Sequence, residues 1–92
     1  MDKKVSVTIG GTISVDPPSV QLKQNQDKAR WENDDDIPFA IVLPAGFDAP
    51  TCGSNGGKYV CTSKTFGTLG TIKYTVTSPG KPDLDPDIDI VP

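Results

Sequence analysis

Apolar residues in this chain return at every second position, in runs too short and too often interrupted for a helix. Val5, Val7 and Ile9 alternate with Ser6 and Thr8. The same period reappears at Ile13 and Val15, at Val20 and Leu22, at Ala29 and Trp31, and at Ile72, Tyr74 and Val76. A two-residue period places one set of side chains on one face of an extended strand, so each run predicts a half-buried strand. Glycine and proline, nine of each, fall between the runs, and there is a single Glu. Gly10-Gly11 predicts a turn, and Pro17-Pro18 ends a strand because proline cannot donate to a ladder. Seven to nine short strands at this spacing predict an all-β, Greek-key β-sandwich formed by residues 1–92 as one domain. A chain of this size supports a single core, burying roughly 60 to 65% of the surface exposed when unfolded.

The stretch from Trp31 to Leu43 organises the rest. Trp31 shares a strand face with Ala29, and the acidic turn Asp34-Asp35-Asp36 follows Asn33. Phe39-Ala40-Ile41-Val42-Leu43 is apolar throughout, which predicts a central strand buried on both sides for part of its length. From Pro44 to Lys58 no strand pattern is legible. At the end of the chain Asp83, Asp85, Asp87 and Asp89 alternate with apolar or proline residues, which predicts a carboxylate stripe along an exposed edge.

A formal charge of −3, with nine Lys and Arg scattered along the chain, argues against nucleic acid as a partner. No apolar run approaches the roughly 20 residues of a membrane helix, so no membrane insertion is expected. Met1-Asp2-Lys3-Lys4 leads straight into a strand pattern with no secretory leader. The expectation is a periplasmic or extracellular protein whose signal segment lies outside this sequence, with a cytoplasmic location as the alternative.

Two segments stand out: Trp31, Asn33, the acids 34–36 and Pro38, followed by Ile41-Val42; and Phe66, then Gly70-Thr71-Ile72-Lys73-Tyr74-Thr75-Val76 and Thr77-Ser78-Pro79. Together they resemble the cupredoxin family, the plastocyanin-like sandwiches that hold blue copper. The resemblance implies a sandwich with a metal pocket at one end. In the family pattern, however, Phe39 stands where the first copper histidine belongs, Val76 where the cysteine belongs, and Ser78 or Pro79 near the second histidine. The chain has no histidine, and its one methionine is Met1. Blue copper needs two imidazoles and a thiolate, so the expectation is a copper-free member with no cofactor and no electron-transfer role. The family's apolar docking end corresponds to Pro38, Phe39, Phe47 and Pro79, which implies a protein partner at the loop end. The opposing reading is that Phe39 is buried as a plug in the vacated pocket.

The remaining candidates have plain readings beside their functional ones. Cys52 and Cys61 suit a structural disulfide better than half of a zinc or copper site, which would lack its other ligands. The clusters at Asp34–Asp36 and Asp83–Asp89 are calcium candidates, but no EF-hand spacing accompanies them, and solvated carboxylates are the simpler reading. Trp31 reads as a core anchor. Catalysis finds no support: there is no histidine for a triad, no G-x-S-x-G, no P-loop lysine, and no spacing that separates an acid from a base. A monomeric, non-enzymatic binding or structural module is therefore expected, with a metal-binding protein as the alternative.

Overall fold

The computed structural model describes residues 1–92 and contains ten strands and no helix. They are β1 (Asp2–Ile9), β2 (Ile13–Asp16), β3 (Ser19–Lys23), β4 (Lys28–Asn33), β5 (Ala40–Val42), β6 (Thr51–Asn55), β7 (Lys58–Thr62), β8 (Gly70–Lys73), β9 (Thr75–Thr77) and β10 (Asp87–Val91). Five form one sheet in the order β2-β1-β4-β7-β6, in which β1 runs parallel to β4. A second layer comprises β3-β10-β8, with β3 parallel to β10, and the pair β5-β9. Only Tyr74 separates β8 from β9, and its N–H donates to the Pro86 carbonyl at 3.0 Å. The neighbouring Val76 and Leu84 exchange two further backbone bonds of 2.8 and 3.1 Å. The second layer is thus one bent surface, and the molecule is an all-β sandwich.

The alternating residues meet between the layers as expected. Val5, Val7, Ala29, Trp31 and Cys61 come from the five-stranded sheet, and Val20, Leu22, Ile88, Ile90 and Val76 from the other; all are buried in one cluster. Trp31 is completely buried and its ring centroid lies 5.2 Å from that of Tyr74. Burying an aliphatic side chain of this size contributes about 1.5–3 kcal/mol, so the two-residue period supplies most of the driving force. On the outer face, Glu32 is nearly buried because Arg30, Lys58 and Lys4 converge on it at 2.9, 3.5 and 4.0 Å.

Three expectations are corrected. The apolar run at Phe39–Leu43 yields a three-residue edge strand rather than a central one: β5 pairs only with β9, and Ala40 and Val42 are exposed. Pro38 and Pro44 hold it short, since neither can extend a ladder. Of the aspartate stripe, Asp87 and Asp89 lie on a central strand rather than an edge, because β10 is flanked by β3 and β8, while Asp83 and Asp85 precede that strand. Three of the four carboxylates are taken up by neighbouring strands: Asp89 accepts from Thr71 (3.2 Å), Asp87 from Lys73 (2.9 Å), and Asp85 from Thr75 (2.7 Å). The patternless stretch before Lys58 contains β6, whose five residues are all exposed. With no side chain buried, β6 leaves no apolar period to read.

Candidate functional site

The end of the sandwich near β5 and β9 holds the residues singled out from the sequence. Asn33, at the end of β4, is buried and builds the approach to them. Its side-chain amide donates to the Val7 carbonyl at 3.0 Å, while its Oδ1 accepts from the N–H groups of Asp35 and Ile37 at 3.0 and 2.9 Å. Such an Asx turn is the local structure an Asn before an acidic turn favours. The Asn33 amide thereby fixes the direction in which the chain reaches Pro38 and Phe39.

Phe39 is buried, and its ring meets that of Tyr59 on β7 edge-on at 5.3 Å. Val76 is fully buried and pairs with Ile41, two positions beyond Phe39. Phe39, just before β5, and Val76, on β9, are thus brought to the same end of the sandwich, and both carry apolar side chains. Ser78 follows β9, is nearly buried, and donates from its hydroxyl to the Pro38 carbonyl at 2.9 Å. Pro38, Phe39, Ala40, Thr77, Ser78 and Pro79 together line a shallow concavity of about 480 Å³, with Pro38, Ala40 and Pro79 exposed at its rim. Sequence reasoning included Pro38, Phe39, Pro79 and, as an alternative second-ligand position, Ser78, but missed Ala40 and Thr77 as lining residues and Tyr59 as the partner of the Phe39 ring. These three carry no local mark, because their places depend on how distant strands pair and pack.

Phe47 does not belong to this surface. Its half-buried ring lies 5.7 Å from that of Phe66, and it lines a separate concavity with Ala45, Gly46, Asp48 and the loop 65–68. A loop aromatic turns to the nearest apolar partner, and Phe66 supplies one.

Cys52 and Cys61 are directly opposite each other on β6 and β7 and are joined by a disulfide. Cys52 is exposed and Cys61 is completely buried, its sulfur 4.0 Å from the Phe39 carbonyl oxygen. Both thiols being consumed, neither is free to ligate copper. The acidic turn is likewise engaged: Asp34 lies 3.3 Å from the Lys58 ammonium, and Asp36 accepts from Ser54 at 2.7 Å. The bond and charge of Asp34, with Glu32 adding to them, hold the Lys58 ammonium above its ordinary 10.5. No group of three or more His, Cys, Asp or Glu side chains is disposed to hold an ion.

No protein-family model matches the chain, and a search of curated proteins finds no significant match. No helix is long and apolar enough to cross a membrane.

Proposed function

We propose that this chain is a copper-free, cupredoxin-like binding module of an exported protein that docks a protein partner on the Pro38–Phe39–Pro79 end. The observation that carries the reading is apolar: Phe39 and Val76, which stand at copper-ligand positions in the resemblance, are both buried, and Phe39 lies in a concavity rimmed by exposed Pro38, Ala40 and Pro79. A rim of this kind over a rigid floor is what a partner's apolar side chain would find complementary. The parallel pairing of β1 with β4 and of β3 with β10 requires chain crossovers, as in a sandwich whose chain passes from one layer to the other. The disulfide supports an oxidising compartment. Phe39 acts as the plug, and Pro38 and Pro79 are the contacts.

A photo-crosslinking residue placed at exposed Ala40, compared with one at exposed Thr8 on the far sheet, tests the docking end in extract of the source cells. One protein captured from position 40 and not from position 8 supports the reading; equal capture from both, or none, rejects it. Copper(II) titration checks the other half. An intense visible thiolate-to-copper band would show that a blue site forms after all.

A further inference from the structure

The tight turn between β6 and β7 points to a modification site: we infer that Asn55 deamidates spontaneously, through attack by the Gly56 backbone nitrogen. Asn55 closes β6 and pairs with Lys58, leaving Gly56 and Gly57 as a two-residue turn with φ of 61° and 81°. The Asn55 side chain is exposed and makes no hydrogen bond to the protein, and the Gly56 N–H makes no backbone hydrogen bond. Gly56 has no Cβ, and nothing lies within 4 Å of where one would stand, so no side chain shields its nitrogen. Asparagine is among the thermally labile residues, and glycine is the following residue that hinders ring closure least.

The deprotonated Gly56 nitrogen adds to Cγ of Asn55, the Cγ–Nδ2 bond breaks, and Nδ2 leaves as ammonia. The resulting five-membered succinimide takes up water at either carbonyl, giving aspartate or isoaspartate at position 55. Ring closure requires Asn55 to leave its strand conformation. The local opening this needs is confined to the end of an edge strand: β6 buries none of its five side chains, and Asn55 lies beyond the bridged Cys52, next to the turn. The product places a carboxylate on an edge that otherwise carries no charge. The edge strands β2, β3 and β8 already carry Asp16, Lys23 and Lys73, and β5 is held to three residues by flanking prolines. A charged or kinked edge resists pairing with another chain, so the chemistry converts β6 into a guarded edge as the protein ages.

The other two asparagines serve as controls within the same molecule. Asn25 is exposed but precedes Gln26; Asn33 is buried, precedes Asp34, and is held by three hydrogen bonds. The oxidised full-length chain is incubated in warm, mildly alkaline buffer and mapped by peptide mass spectrometry at intervals. Only the peptide containing Asn55 is expected to gain about 1 Da and to resolve into aspartyl and isoaspartyl forms, at least about tenfold faster than those of Asn25 and Asn33. An acidic species grows in ion exchange and is absent from the Asn55→Gln variant. The inference is overturned if Asn55 stays intact while the reduced, denatured chain converts there, if Asn25 or Asn33 reacts first, or if Asn55→Gln still yields the acidic species.

Discussion

The hydroxyl of Ser78 donates to the carbonyl of Pro38, tying together two segments forty residues apart in sequence at 2.9 Å. This bond closes the concavity between the end of β9 and the start of β5, and Ser78 is 8% exposed, so water cannot readily replace it. Ser78→Ala leaves the Pro38 carbonyl without that donor and is expected to lower stability by about 0.5–1.5 kcal/mol. Urea unfolding followed by the fluorescence of Trp31 measures it. An unchanged midpoint would mean that the two segments are held by packing alone.

Phe39 fills the space between β5 and β7, in edge contact with Tyr59. Phe39→Ala is expected to cost about 3–5 kcal/mol, because the site loses both burial and a ring contact, while Phe39→Leu costs about half as much. Equal, small losses for the two variants would show that the ring is not a plug.

The Cys52–Cys61 bridge closes a loop with a sequence separation of nine and joins β6, which buries nothing, to β7. Loop-closure entropy sets its contribution at about 2–3 kcal/mol. Reduction, or the double change Cys52→Ser and Cys61→Ala, should lower the unfolding midpoint accordingly. It should also raise amide exchange in residues 51–55 ahead of exchange in β1 and β4. Intact mass separates the oxidised and reduced forms by about 2 Da.

Tyr74 is 1% exposed, and neither its hydroxyl nor the indole N–H of Trp31 has a hydrogen-bond partner of acceptable geometry in the protein. An unmade hydrogen bond at a buried group costs roughly 1–3 kcal/mol, and removing the group relieves that cost. Tyr74→Phe is therefore expected to be neutral or to stabilise the fold by up to about 1 kcal/mol. A clear loss of stability in a thermal melt would reveal a partner for the hydroxyl.

Burial pushes the Tyr74 hydroxyl above its ordinary 10.0, and the nearby Trp31 N–H draws it weakly the other way. The folded state thus keeps a proton that the unfolded state releases, so stability falls as pH rises above about 10. Lys58 and Lys73 act in the same direction. Hydrogen bonding and charge from Asp34 and Glu32 raise the Lys58 ammonium above 10.5, and hydrogen bonding and charge from Asp87, with the charge of Asp85, raise that of Lys73. Their stabilisation is present in full below that value and is lost as pH climbs through the raised ones. Equilibrium unfolding against pH is expected to show a steeper alkaline than neutral slope, with part of the alkaline loss absent in Tyr74→Phe.

The alternation of apolar and polar residues determined the strand character and the core. Val5, Val7, Trp31, Leu22 and Ile88 face inward wherever their strands are placed, because a period of two assigns faces locally. The absence of histidine likewise settled, without any structure, that two imidazoles cannot be assembled here. Sequence could not tell whether a strand is central or at an edge. Phe39–Leu43 reads as a buried centre and forms a short edge, whereas the aspartates of β10 read as an edge and lie at a centre. That difference depends on which distant strands supply the neighbouring ladder, and a side-chain pattern carries no record of its partners. The meeting of Ser78 with Pro38 was decided in the same way, by the pairing of β5 with β9, and those of Phe39 with Tyr59 and of Phe47 with Phe66 by the packing of segments distant in sequence.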